Sequence, residues 1–371
     1  MREFVVSERD QGQKCVKYIC RILPNAGTSF VYKMLRKKNI TLNGKKTDGT
    51  ECLKPGDTIR IFFAEETFLK FSGTDTQAEK KQGLTQAHAL QKERILYEDA
   101  NILLYNKPAG LLSQKAEPDD VSVNEMFLAY LLQEGKLTQE QMATCTPSIC
   151  NRLDRNTSGI LICGKTYEGL KEMNALIKER RIGKFYRCIV TGSVNEKITL
   201  TGYLTKDEKT NKVTLRQTSF PGASYIETSI VPIRQYQGGL SLLEIHLITG
   251  KTHQIRAHLA SIGHPILGDY KYGNRKLNDR YGIKSQLLHA YRLEFPALPG
   301  DDPLAPLSGK VFTDFLLAQI GGLGYNNAKY GCPCKNGRAK CKGSNPVRNL
   351  IEVKKYGIIT AVERYGIRPA G

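Results

Sequence analysis

Between Ile198 and Ile248 apolar and polar residues alternate in one short segment after another: Leu200 to Leu204, Lys212 to Gln217, Ile226 to Ile233 and Leu240 to Ile248. Turns rich in Gly, Asn and Lys separate them, and no helical period appears. Alternation of this kind buries one face of a strand and exposes the other, so segments joined by turns predict an antiparallel meander. Further strand signals lie at Ile95 to Tyr97, Ile102 to Tyr105, Lys184 to Thr191 and Leu287 to Phe295, with helical patterns between them. The second part of the chain is therefore expected to be an α+β domain with a mostly antiparallel sheet.

At 371 residues the chain is too long for one ordinary domain. Near its start Val16, Ile19, Cys20 and Leu23 fall on one helical face, which Pro24 ends. A second helix, from Thr28 or Ser29 through Lys38, buries Val31, Met34 and Leu35. It leaves Lys33, Arg36, Lys37 and Lys38, with Lys45 and Lys46 beyond it, as a basic rim beside short strands at Ile40 to Leu42 and Thr58 to Phe63. Phe71 to Gln91 is polar and reads as a linker unable to bury a core of its own. The organisation expected is a small domain over 1–66, a linker over 67–92, a larger domain over 93–320 and a basic tail over 321–371. In the larger domain Glu117 to Thr146 is helix-rich, with Phe127, Tyr130 and Leu131 on one face, and Thr166 caps a helix through about Arg180. Thr252 to Ile262 is helical with Gly263 as terminator, and Val311 to Ile320 is expected to be a covering helix.

Lys and Arg number 55 against 36 Asp and Glu, a net charge of +19, which points to a polyanionic partner. A membrane is the poorer reading, because no apolar run approaches the roughly 18 to 20 residues of a spanning helix. Arg9 and Asp10 interrupt the amino terminus before any apolar core of a signal peptide forms. A cytoplasmic protein with reduced thiols is expected, and Cys15, Cys20, Cys150, Cys163 and Cys188, in apolar runs, read as small core residues.

Chemistry concentrates in Asn151 to Gly164, NRLDRNTSGILICG. Asp154, flanked by Arg152 and Arg155, precedes a small polar turn and an apolar strand, so a carboxylate is presented on a loop. By itself this could be a salt-bridged turn. The stretch resembles the signature of the RluA-type pseudouridine synthases, which isomerise uridine in RNA and whose usual form begins His-Arg-Leu-Asp and ends Thr-Ser-Gly. Asn151 stands where that form has His, and it can hydrogen-bond but not titrate. Asn106-Lys107-Pro108-Ala109-Gly110 matches the family's Asn-Lys-Pro-x-Gly, and Lys184-Phe185-Tyr186 its Lys-x-Tyr. Leu247 to Gly268, LITGKTHQIRAHLASIGHPILG, resembles the family's Thr-Gly-Arg/Lys-x-His-Gln-Ile/Leu-Arg, and places His253 and Arg256 one helical turn apart. The small domain resembles an RNA-binding domain of the ribosomal S-four type, in Lys33 to Gly44 and in Leu53 to Asp57.

The resemblance covers about Arg94 to Pro296 and Asp10 to Phe63 and implies a pseudouridine synthase catalytic domain with a mixed, mostly antiparallel sheet and flanking helices, behind a small α/β RNA-binding domain. It implies a substrate in large-subunit ribosomal RNA and no cofactor. Asp154 is then the nucleophile and Arg256 its cationic partner, while Tyr186 stacks on the target base and assists proton movement. Arg152 fills the space of the flipped base, Lys107 contacts a phosphate or supports the site, and His253, Lys33, Arg36 and Lys37 contact RNA. A monomer suffices for this chemistry. His246, His253, His258 and His264 lack the spacing of a zinc helix, and Cys332, Cys334 and Cys341 in the tail fall short of four ligands, so no metal is expected. The competing readings are a non-catalytic ribosome-assembly factor on the same fold, a synthase acting on transfer RNA, and a carboxylate-dependent hydrolase, which would need a second acid or a metal.

Overall fold

The computed structural model describes residues 1–72, 88–207, 210, 212–236 and 238–314. The small amino-terminal lobe comprises β1 (Arg2–Val5), α1 (Cys15–Ile22), α2 (Thr28–Arg36), β2 (Ile40–Leu42), β3 (Thr58–Ile61) and α3 (Glu65–Ser72). Its sheet runs β1-β3-β2, antiparallel throughout. Ile19, Val31, Leu35, Ile40 and Ile59 are buried together, which is the face the periodicity assigned to the two helices. α1 begins at Cys15, one residue ahead of the first apolar position of its pattern, after Gly12 has turned the chain at φ +79. β1 and α3 were not foreseen. Phe68 and Phe71, in a stretch whose polarity suggested a linker, pack onto the lobe through Phe4 and Phe30.

The large lobe is built on one sheet of eleven strands. In chain order they are β4 (Ile95–Glu98), β5 (Ile102–Lys107), β6 (Ser148–Ile149), β7 (Ser158–Gly164), β8 (Gly183–Thr191), β9 (Ile198–Asp207), β10 (Lys212–Arg216), β11 (Ser224–Tyr236), β12 (Leu240–Leu247), β13 (Leu288–Glu294) and β14 (Val311–Thr313). The main path is β10-β9-β11-β12-β8-β13-β7-β5-β4, with β6 on β7 and β14 on β13. The four strands of the expected meander are present and antiparallel as β9 to β12, but the order is corrected: β11 passes over β10 to pair with β9, which leaves β10 at the sheet's edge. Helices α4 (Val123–Gln133), α5 (Gln139–Thr144), α6 (Tyr167–Lys178), α7 (Gln254–Ser261) and α8 (Arg275–Tyr281) flank it. Alternation along β5 and β7 divides the core in two: Leu103, Tyr105, Leu161 and Cys163 meet Phe127 and Leu131 of α4, whereas Ile102, Leu104, Ile160 and Ile162 meet Met173 and Leu176 of α6.

The helix expected over Val311 to Ile320 is corrected in its first part. Val311–Thr313 is a strand, paired with β13 through Arg292↔Thr313. A β-branched and aromatic triplet after the left-handed Gly309 adds to the exposed side of β13 more readily than it starts a helix. Residues 315–320, and the tail thiols Cys332, Cys334 and Cys341, lie outside the described residues.

β7 and β13 run parallel, in register at His289↔Ser158 and Ala290↔Gly159, while Ala290 also faces Tyr186 across the antiparallel pair β13·β8. Gly159, Ala290 and Tyr186 thus form one row across the sheet. The row demands glycine at its first position: Gly159 has φ +114, and a Cβ there would lie 2.1 Å from the Ala290 carbonyl oxygen. The lobes dock through arginines, Arg21 donating to the Thr144 carbonyl at 2.8 Å and Arg9 to the carbonyls of Lys136 and Lys165.

Candidate active site

The loop that carries Asp154 is fixed before its carboxylate finds any partner. Upstream, the Asn151 Oδ1 accepts the Ile162 N–H at 2.8 Å, so this side chain ties the loop's start to β7. The Ser113 hydroxyl accepts from the Leu153 N–H and donates to its carbonyl. The Thr157 N–H bonds the Asp154 carbonyl at 3.0 Å, closing the turn. Beneath it, the Lys107 ammonium donates to the carbonyls of Pro108 at 3.0 Å, Leu111 at 2.7 Å and Arg155 at 3.0 Å. Burial pulls this ammonium down to about 7, against the opposing pull of Asp154. Three carbonyls match the three donors that only the charged form offers.

The Asp154 side chain is partly buried, 26% exposed. Its Oδ2 is 2.7 Å from Arg256 Nη1 and 3.8 Å from His253 Nε2. Arg256 reaches it with one nitrogen because the others are committed: Nε donates to Asp269 Oδ2 at 2.6 Å and Nη2 to Asp269 Oδ1 at 3.0 Å. Burial would raise the Asp269 carboxyl, but the guanidinium holds it below the usual carboxylate range. Burial would likewise weaken Arg256 as a base, and the bonds to Asp269 and Asp154 outweigh that and keep it charged.

His253 is the N-cap of α7 and one of few non-glycine residues in the left-handed region, at φ 55. Its Nδ1 lies 2.9 Å from the Tyr272 hydroxyl. Burial pulls the imidazole down to about 4, so it is neutral at pH 7 despite the nearby Asp154. Tyr186, 7% exposed, reaches the same spot from β8, and burial, with Asp154 second, pushes its hydroxyl above the ordinary tyrosine range. A polar cleft of about 480 Å³ adjoins Arg256, with Lys212, Lys271 and Lys284 around it and Asn156 and Gln286 among its walls.

Residues 101–261 match the family described as RNA pseudouridylate synthase. An uncharacterized RNA pseudouridine synthase of Mycoplasma pneumoniae is 33% identical over 303 residues, which cover 80% of this chain and 89% of that protein. Its counterpart in Mycoplasma genitalium is 31% identical over 299 residues, covering 80% and 90%. A ribosomal large subunit pseudouridine synthase C of Rickettsia bellii is 31% identical over 277 residues, covering 70% and 83%. The chain belongs to the RluA-type RNA pseudouridine synthases. It is thus an isomerase of uridine in RNA.

In this synthase Asp154, Arg256, His253 and Tyr186 come together as the sequence motifs suggested. Arg152 is exposed beside them and pairs with no other described residue. Lys33, Arg36 and Lys37 are exposed on α2 and its following turn, on the small lobe and without ion pairs among the described residues. Lys107 requires correction as a phosphate contact: it is 0% exposed, with every donor spent on carbonyls of the loops it supports. His246 stacks on Phe185, His258 bonds Thr228 and His264 meets the Thr191 carbonyl, each with its own partner. Sequence reasoning missed Asp269 and Tyr272, although both follow within a few residues of the His-Gln-Ile-Arg helix, in Gly268-Asp269-Tyr270-Lys271-Tyr272-Gly273.

Proposed function

We propose that Asp154 is the nucleophile of this synthase and that its substrate is a uridine in large-subunit ribosomal RNA. The reaction breaks the bond between ribose C1′ and uracil N1, turns the base, and joins C1′ to C5. C5 gives up its proton and N1 gains one, so atoms and electrons balance without oxidant, reductant or cofactor. A carboxylate that attacks ribose or base is sufficient covalent catalysis.

The observation that carries this reading is the 2.7 Å contact of Asp154 Oδ2 with Nη1 of Arg256, a residue that lines the cleft. A nucleophilic carboxylate must stay ionised while water is excluded. At about 4 Å and an effective dielectric near 20, one such cation is worth on the order of 4 kcal/mol. Tyr186 stacks on the flipped uracil in this reading, and its hydroxyl assists the proton transfer at C5; its burial beside Asp154 supports that role. Arg152 is free to fill the gap left in the RNA stack, whose opening costs a few kcal/mol. Lys212 and Lys284 in the cleft, and Lys33, Arg36 and Lys37 on the small lobe, suit phosphates, which position RNA without reading its sequence. The S-four resemblance of that lobe supports the same role. Ribosomal RNA is favoured by the Rickettsia bellii relative, a ribosomal large subunit pseudouridine synthase C. A monomer is adequate, since one chain supplies every group of the site. Buried free thiols at Cys15, Cys145, Cys163 and Cys188 suit a reducing cytoplasm.

The test is to map pseudouridine in unmodified ribosomal and transfer RNA after incubation with the wild-type protein and with Asp154→Asn. New pseudouridine at defined large-subunit positions, absent with the variant although it still binds, is the expected result. Modification of transfer RNA alone would refute the substrate, and undiminished activity of the variant the nucleophile.

A further inference from the structure

Asp154 has two neighbours on α7, and both are held from the same short segment. The Leu267–Gly273 turn is itself tightly built. Gly268 N–H donates to Asn278 Oδ1 at 2.8 Å, and Asn278 Nδ2 donates back to the Asp269 carbonyl at 3.1 Å. Asp269 Oδ1 accepts the N–H groups of Lys271 at 2.9 Å and Tyr272 at 3.1 Å while also accepting from Arg256. Asp269 is 1% exposed, so its geometry is set by the fold and not by solvent.

We propose that this turn is the positioning device of the synthase: Asp269 aims the Arg256 fork, and Tyr272 fixes the tautomer of His253 so that its Nε2–H faces the cleft. The inference rests on the reading of Asp154 as nucleophile. For Arg256, two bonds to Asp269 in one plane leave Nη1 pointing at Asp154 with no free rotation. For His253, the Tyr272 oxygen accepts the Val213 N–H at 3.2 Å and its own O–H is then available to the His253 Nδ1 at 2.9 Å. An imidazole that accepts at Nδ1 carries its proton on Nε2. That nitrogen is 3.8 Å from Asp154 Oδ2, beyond hydrogen-bond length, so its proton is uncommitted.

The chemistry has a use for such a donor. When the C1′–N1 bond breaks, the electron pair leaves with N1 and spreads to the uracil carbonyl oxygens. A neutral N–H aimed at one of them stabilises that charge only as it develops. The left-handed backbone of His253 fits this placement, since strain of that kind persists where the surroundings enforce it. The Tyr272 ring ties the two halves together, edge-on to His253 at 5.5 Å between centroids and 5.0 Å from the Arg256 guanidinium carbon.

Wild type, Tyr272→Phe, Asp269→Asn and Asp154→Asn would be compared on a large-subunit ribosomal RNA transcript tritiated at uracil C5. Single-turnover tritium release, RNA affinity and the imidazole nitrogen resonances of His253 are the readouts. Tyr272→Phe is expected to shift the His253 resonances toward a mixture of tautomers and to slow release roughly tenfold, with affinity unchanged. Asp269→Asn is expected to slow release at least as much, again without loss of affinity. Unaltered resonances or an unaltered rate in Tyr272→Phe overturn the proposal, as does a loss of affinity that accounts for the whole rate effect. Asp269→Asn at the wild-type rate overturns the Arg256 half. Because Asp269→Asn strips a buried guanidinium of its partner and can unfold the turn, Asp269→Glu, which keeps the charge on a longer arm, is made beside it, and a wild-type rate there overturns the Arg256 half. Tyr272→Phe, which keeps the ring, decides the His253 half in either event. Asp154→Asn that releases tritium like wild type removes the underlying reading instead, whatever the other variants do.

Discussion

The Lys107 ammonium lies 3.0 Å from the carbonyl oxygen of Arg155, the residue that follows Asp154, and has no contact with solvent. A lysine from the end of β5 thus grips the backbone of the Asp154 loop from below. Lys107→Met keeps the apolar stem and leaves three carbonyls without a donor. Unfolding free energy is expected to fall by about 2 kcal/mol, and tritium release with it, because the loop loses its support. Urea denaturation beside the activity assay checks both.

Arg256 bridges two acids, and a lysine in its place has a single charged point. Arg256→Lys can serve Asp269 or Asp154 but not both. The expected result is a single-turnover rate lower by roughly a hundredfold with little change in RNA affinity. A rate within threefold of wild type, as a rough bound set by the usual cost of misplacement, would show that bridging is unimportant.

Tyr186 offers a cleaner separation of packing from chemistry. Tyr186→Phe retains the buried ring and removes only the hydroxyl. RNA binding and melting temperature are expected to stay near wild type while release of the C5 proton slows by roughly tenfold or more. Stopping at equal rates would leave the hydroxyl without a role.

On the small lobe, the triple change Lys33→Ala, Arg36→Ala, Lys37→Ala removes three exposed charges that have no ion-pair partner among the described residues. Each phosphate contact contributes roughly 0.7 to 0.9 to the slope of log affinity against log salt. The slope should therefore fall by about 2 to 3, with the rate at saturating RNA unchanged. Filter binding at several salt concentrations measures it.

His258 predicts acid sensitivity of the fold. It is buried on α7 with Nδ1 2.9 Å from the Thr228 hydroxyl, and burial pulls it from 6.5 down to about 4. The unfolded chain binds the proton first, so stability is full above about 6.5 and is lost as pH falls toward about 4. His258→Leu should reduce that loss in urea melts between pH 7 and pH 4.5, leaving the part that His253, lowered to about 4 as well, contributes in the same window.

The four antiparallel strands β9 to β12 were legible because each advertises its own buried face by alternation, whereas the pairing of β11 with β9 in place of β10 was not, since alternation says nothing of which neighbour a strand takes. The sequence carried Asp154, Tyr186 and Arg256 because each lies in a contiguous motif. For Lys107 the sequence left a phosphate contact and support of the site both open, since nothing in Asn-Lys-Pro says whether a lysine will be enclosed. Asp269 and Tyr272 were missed for a different reason: their meaning lies in bonds to Arg256 and His253, and those exist only once α7 and the following turn have folded against each other. β14 was misread because Val311–Thr313 takes its conformation from β13, not from its own neighbours.

Neighbouring antiparallel strands begin at opposite ends of a sheet, so the loops that lead into them stay far apart. β7 and β13 instead start side by side. The segment bearing Asp154 and the long excursion bearing Asp269 and Tyr272 therefore arrive at the same doorstep, where Gln286 donates to Thr157 at 3.1 Å and Ser158 meets His289 at 2.9 Å. Reversing either strand would send the acid and the clamp that aims its arginine to opposite shores of the molecule. Among the described residues, the one place where this sheet breaks its alternating rule is where these groups meet.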